Sequence, residues 1–123
     1  MNQYRNTPQD IHKRIYELVI DCFNNVINRI PKTTATTPII SQLTSSLTSV
    51  GANDQEADGA ATKKDFIAKY TIVRKEIKET RYWLSVIKDT HQLEESLINP
   101  YLEECYEIQM IVSKIIENSK KHH

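Results

Sequence analysis

Residues 62–89 read TKKDFIAKYTIVRKEIKETRYWLSVIKD, and this stretch decides the fold class. Phe66, Tyr70, Val73, Ile77, Thr80, Leu84 and Ile87 succeed one another at alternating steps of four and three. On a helix such steps place every side chain on one face, the seam of a helical bundle. Thr62 offers a hydroxyl to cap the first turn and Asp65 a carboxylate to its exposed N–H groups. Asp89-Thr90-His91 breaks the rhythm. The spacing predicts a helix over 63–88.

The same signals recur on either side. Thr7-Pro8, with Asp10 behind it, announces a helix whose stripe runs through Ile11, Ile15, Leu18, Val19, Cys22, Val26 and Ile30 until Pro31 stops it. Thr37-Pro38 repeats the start, and Ile39, Ile40, Leu43, Leu47 and Val50 form the stripe. Thr44, Ser45, Ser46, Thr48 and Ser49 are weak helix formers, so packing must hold this second helix. Gly51 is a candidate kink and Gly59 the latest stop. Asn99-Pro100 opens the last helix, lined by Ile98, Leu102, Cys105, Gln109, Val112 and Ile116. Four helices over about 8–30, 38–56, 63–88 and 99–118, joined by short connectors, predict an all-α fold. The expected architecture is an antiparallel up-and-down four-helix bundle forming one domain over 1–123.

Composition sets the outer limits. The chain has 123 residues, with 16 Lys+Arg balancing 16 Asp+Glu, and zero net charge argues against nucleic-acid binding by bulk electrostatics. Two glycines are too few for a turn-rich β fold. No apolar run approaches a membrane span, and the opening MNQYRNTPQD lacks the apolar segment of a signal peptide. Cys22 and Cys105 lie too far apart for a zinc pattern or a disulfide framework, so the reducing cytoplasm is the expected compartment. His122 and His123 read as the stub of a purification tag and enter no functional argument.

Catalytic chemistry finds no foothold in the sequence. His12 and His91 have no acidic or cysteine partner at ligand spacing. Glu94-Glu95 and Glu103-Glu104 are adjacent pairs, which do not face each other on a helix. There is no Glu-x-x-His pair for a di-iron site and no glycine-rich phosphate loop. Both cysteines fall on apolar stripes, as inert core thiols do. The expectation is a non-enzyme without metal or cofactor.

The outer faces carry more. Tyr16, Ile20 and Ile27 lie about 100° from the centre of the first helix's stripe at 100° per residue. Ile72, Trp83 and Val86 fall on the flank and back of the third helix, and Tyr106 and Met110 lie off the seam of the fourth. Single apolar residues on a surface are ordinary, but second stripes on three helices favour burial against other copies of the chain. Charge is uneven as well. Residues 62–89 carry eight basic side chains against four acidic ones, and residues 90–123 carry three against six. This surplus reads as a solvated helix face with internal ion pairs, such as Lys75 with Glu79 across one turn, as an electrostatic contact between subunits, or as a phosphate-contacting ridge, for which Lys63, Lys64, Arg74, Lys75, Lys78 and Arg81 are the candidates.

At Ser49–Lys69 the chain reads SVGANDQEADGAATKKDFIAK, and at Lys78–Leu84 it reads KETRYWL. These stretches resemble the bacterial four-helix-bundle family encoded in intervening sequences of 23S ribosomal RNA genes. Ser49, Ala52, Asn53, Glu56, Thr62, Lys63, Lys64, Asp65, Phe66 and Ile67 take the places of its helix-junction pattern, and Glu79 matches its acidic residue in the third helix. The resemblance covers about residues 10–118. Ser49, Asn53, Glu56 and Glu79 are expected to be structural, with Asn53 and Glu56 satisfying helix-end amides or bonding across to the third helix. The resemblance implies antiparallel bundles that assemble as homopentamers, with no enzyme activity. A relative, the accessory variability protein of diversity-generating retroelements, is a basic pentamer that binds a reverse transcriptase and its RNA. The present chain departs from it in being neutral and in carrying Thr44-Ser45 where many members are basic.

The expected function is therefore a non-catalytic, homo-oligomeric helical scaffold, pentameric by resemblance, serving as an adaptor for RNA or an RNA-handling protein. The alternative is a protein-only accessory subunit of a reverse transcriptase. No membrane partner is expected.

Overall fold

The computed structural model describes residues 11–121. The start signal at Thr7-Pro8 and the terminal His122-His123 lie outside the described residues. Four α-helices follow in order: α1 (Ile11–Asn25), α2 (Thr36–Asp58), α3 (Lys63–Asp89) and α4 (Glu95–Lys121), with a short 3-10 turn at Ile27–Arg29 after α1. Each helix packs on its sequence neighbour, and α1 closes onto α4, completing a four-helix bundle. No described residue forms a strand.

The α3 stripe behaves as its spacing demands. Phe66, Tyr70, Val73, Ile77, Thr80, Leu84 and Ile87 are the buried residues of that helix. Thr62 Oγ1 accepts the Asp65 backbone N–H at 3.1 Å, capping the first turn. At the other end His91 adopts φ 58°, the left-handed conformation that turns the chain toward α4. The His91 N–H reaches Lys88 O and the Gln92 N–H reaches Ile87 O, both at 3.1 Å, so the last carbonyls of α3 are satisfied.

The second helix starts one residue before its Thr-Pro signal. Thr33 and Thr36 bond reciprocally, each backbone N–H donating to the other's hydroxyl oxygen. Pro38 then sits in the first turn, where its missing N–H has no helical partner to lose. The helix runs through Gly51, so no break occurs there, and Gly59 caps it. Leu43, Ser46, Leu47, Val50, Asp54 and Ala57 face the core. Ser46 and Thr80 lie buried with their hydroxyl oxygens 3.0 Å apart, a polar cross-link between α2 and α3.

Two boundaries differ from expectation. The α-helical part of α1 ends at Asn25, because the chain tightens into the 3-10 turn before Pro31. The fourth helix begins at Glu95 rather than 99, with Pro100 inside it. Pro100 cannot donate to Ser96 O, but the residue is exposed and lies in the second turn, where water can reach that carbonyl. The buried line of α4 uses Ile108 and Ile115 beside Ile98, Cys105, Val112 and Ile116. Leu102 and Gln109 are only half-buried. None of the described helices is long and apolar enough to cross a membrane.

Candidate nucleic-acid interface

The outward face of α3 holds a shallow groove of about 420 Å³, lined by Thr71, Arg74, Lys75, Lys78, Glu79 and Tyr82. The helical repeat assembles it: these positions share the face opposite the buried stripe. Arg74, Lys75 and Lys78 make no ion pair among the described residues, and the Lys75–Glu79 pair that spacing allows is not formed. Like charges four apart on a helix repel by a few tenths of a kcal/mol, roughly, and an anion in the groove relieves that repulsion.

Three of the six basic candidates are thus brought together, and three are not. Arg81 turns toward α4, where Nη1 donates to Gln109 Oε1 at 2.6 Å and the guanidinium lies 5.1 Å from the centre of the Tyr106 ring. It is committed to the α3–α4 seam. Lys63 and Lys64 stand at the start of α3, about 15 Å along the axis from Arg74. Lys69, between them, pairs with Glu56 of α2 at 3.3 Å.

Tyr82 was not among the expected contacts, although its place one turn beyond Lys78 is visible in the sequence. It is 60% exposed, and its ring meets Trp83 edge-on, with centroids 4.8 Å apart and planes at 78°. Trp83 is half-buried and packs on the core.

The residues proposed for contacts between copies are spread around the bundle. Tyr16 and Ile20 on α1 and Ile72 on α3 are exposed, while Trp83 and Val86 are half-buried. Ile27 is a correction: only 6% of it is exposed. The wheel assumed that α1 continues, but the chain enters the 3-10 turn at that residue, which rotates the side chain into the core. Tyr106 and Met110 are exposed on α4.

A second polar cluster lies between α1, α2 and α3. Asp54, 1% exposed, receives the Tyr70 hydroxyl at 2.9 Å and faces His12 Nδ1 at 2.9 and 3.0 Å. His12 Nε2 lies 3.3 Å from Asp58. His12 Nδ1 is thus engaged by Asp54, with the exposed Asp58 carboxylate beside Nε2. Beside this cluster runs an apolar groove of about 270 Å³ between α1 and α2, with Ile15, Tyr16, Val19 and Gly51 in its wall. Burial, and then Asp54, push the Tyr70 hydroxyl well above the usual phenol range, so it remains a donor. Asp54 carried one sequence signal: it continues the steps of four and three through Leu43, Leu47, Val50 and Ala57, a carboxylate at a core position.

The motif residues stay local or bridge two helices. Asn53 Nδ2 donates to Ser49 O at 2.9 Å and lies 3.1 Å from Ser49 Oγ. Glu56 makes the bridge to Lys69, and Glu79 lines the α3 groove. Cys22 and Cys105 are buried free thiols. Burial pushes Cys105 up to about 12 and raises Cys22 as well, with the nearby Cys105 adding to the latter, so neither offers a thiolate nucleophile. Among the described residues no group of three His, Cys, Asp or Glu could hold a metal ion.

Comparison with known proteins places this architecture. The family model of the 23S rRNA-intervening sequence protein matches residues 8–114. A crystal structure of a protein of unknown function from the S23 ribosomal protein family of Bacteroides thetaiotaomicron VPI-5482 superposes with a TM-score of 0.79 at 27% identity, covering 87% of this chain and 95% of that one. No curated protein matches the chain in sequence.

Proposed function

The chain belongs to the 23S rRNA-intervening sequence protein family, and from there we propose that it is a non-catalytic, homo-oligomeric scaffold in the cytoplasm that docks RNA. The observation carrying this is the convergence of Arg74, Lys75 and Lys78 on one groove, none of them in an ion pair among the described residues, against the single carboxylate of Glu79. This surplus of positive charge supplies phosphate positioning, not sequence readout. A neutral monomer binds weakly by this means. Copies assembled through outward apolar residues such as Tyr16 and Ile72 present several such grooves at once, and their avidity compensates for the weak single site. Five copies are the number that family resemblance favours.

Two measurements test it. Light scattering of the chain is expected to give a multiple of 14.3 kDa that falls in Tyr16→Asp or Ile72→Asp. These variants are preferred to Trp83→Ala, since Trp83 also packs on the core. RNA affinity is expected to drop in Lys75→Glu/Lys78→Glu and to weaken with salt. Affinity unchanged by charge reversal would sink the RNA half.

The zero net charge of the chain favours a second reading, a protein-only accessory subunit of a reverse transcriptase. That role requires an oligomer that binds the enzyme equally well after charge reversal on α3.

A further inference from the structure

We propose that the α3 groove takes single-stranded RNA, with a base stacked on Tyr82 and the adjoining backbone on Lys78 and Lys75. The proposal rests on the RNA reading above and adds the kind of strand and the residue that selects it.

The groove is not a simple cationic strip. Its C-terminal end is an aromatic ring that is 60% exposed. The edge-on contact with Trp83 braces that ring, and the packing of Trp83 on the core limits its movement. A braced, uncovered ring is what base stacking requires, because little side-chain freedom remains to be lost on binding. Lys75, Lys78 and Tyr82 succeed one another about 5–6 Å apart along one helix face, so neighbouring nucleotides of an extended strand meet them in turn. A duplex presents phosphates to the lysines but keeps its base faces inside the stack, out of reach of Tyr82.

Glu79 sharpens the choice. Its carboxylate shares the groove with the three cations. It opposes a second phosphate and accepts hydrogen bonds from a ribose 2′-hydroxyl or a base amino group. Backbone phosphate beside Lys75 and Lys78, with ribose and base toward Glu79 and Tyr82, satisfies all four groups.

Trp83 is the only tryptophan of the chain and touches Tyr82, so its emission reports on that ring. The full chain would be titrated with an unstructured ten-nucleotide RNA and with the blunt duplex of the same sequence. Both Trp83 emission and anisotropy of end-labelled RNA would be followed. The single strand is expected to bind more tightly and to change Trp83 emission. Tyr82→Ala is expected to weaken single-strand binding roughly tenfold or more, Tyr82→Phe to restore it, and duplex affinity to stay unchanged in both. Tyr82 is exposed, so unaltered helical circular dichroism would confirm that these variants fold. Equal affinity for the two RNAs, or an unaffected Tyr82→Ala, overturns the proposal. In that case loss of binding in Lys75→Glu/Lys78→Glu still supports the broader reading. Failure of both RNAs to bind the unaltered chain removes both.

Discussion

Arg14 of α1 grips Glu104 of α4 through two parallel hydrogen bonds, Nε to Oε2 at 3.0 Å and Nη2 to Oε1 at 2.6 Å. The fork of the guanidinium matches the carboxylate, and Glu107 adds a longer contact at 3.4 Å. The bond to Glu104 is the main reason that the Arg14 guanidinium holds its proton above the usual range. Both partners remain about a quarter to a third exposed, so solvent screens the pair. Arg14→Ala is expected to cost about 1 kcal/mol in urea unfolding, and Arg14→Lys to recover only part of it because an ammonium cannot make both bonds.

The buried carboxylate of Asp54 carries a larger stake. It is the common acceptor of Tyr70 and His12, and its removal strands the buried Tyr70 hydroxyl and frees the half-buried His12. Asp54→Ala is expected to destabilise the bundle by about 3 kcal/mol, and Tyr70→Phe by about 1–2 kcal/mol. Chemical denaturation of the two single variants and the double variant checks this. Because the two residues share one bond, the double variant is expected to lose less than the sum.

Alkaline pH is expected to loosen the fold through its buried thiols. Cys22, Cys105 and Tyr70 all hold their protons more firmly in the folded chain than the ordinary thiol or phenol does. Below the ordinary thiol value of 9.0 this has no effect on stability. As pH rises past it, the unfolded chain releases thiol protons that the folded chain retains. Stability then falls by about 1.4 kcal/mol per pH unit for each such group. For Cys105 the loss continues to about 12. Unfolding midpoints are expected to be level up to pH 8 and to drop between pH 9 and 10.5. A thiol reagent at pH 8 is expected to label neither cysteine until the chain is unfolded.

The corner between α3 and α4 is built on a residue poorly suited to it. His91 occupies φ 58°, which glycine adopts without steric cost. His91→Gly is expected to stabilise the chain by about 0.5–1 kcal/mol, provided that the exposed imidazole has no other role. Thermal unfolding of the variant would read the change, and a lower midpoint would show that the side chain has a contact of its own.

Legibility from sequence followed the range of the forces involved. The α3 seam could be read residue by residue, because burial on a long helix is a local periodicity. The start of α4 could not. Asn99-Pro100 carries a strong local stop-and-start signal, yet burial of Ile98 against the core carries the helix back to Glu95. Ile27 was misplaced for a related reason, since a wheel has no means of showing where a helix tightens. At the candidate site, the cationic triad Arg74, Lys75 and Lys78 was visible as charge on one helix. Arg81 carried the same charge and served a different purpose, decided by Gln109 and Tyr106, 28 and 25 positions away. Asp54 was missed because its partner His12 lies 42 positions off.

The unequal fastening of the four helices has a kinetic meaning. The seam between α2 and α3 is the most extensive in the bundle, and a connector of four residues, 59–62, joins them. Over the described residues α1 is the shortest helix and meets its neighbours over less surface. Its buried stripe of Ile11, Ile15, Leu18 and Cys22 joins the core, and two polar bonds tie it to α4, Arg14 to Glu104 and Asn25 to Tyr101 at 2.8 Å. Sub-global opening follows the weakest seam, so α1 is expected to be the cooperative unit that swings away first. Its amides are expected to exchange with deuterium before those of the α2–α3 hairpin, and refolding is expected to run the other way, with the hairpin formed before α1 returns to close the ring of helices.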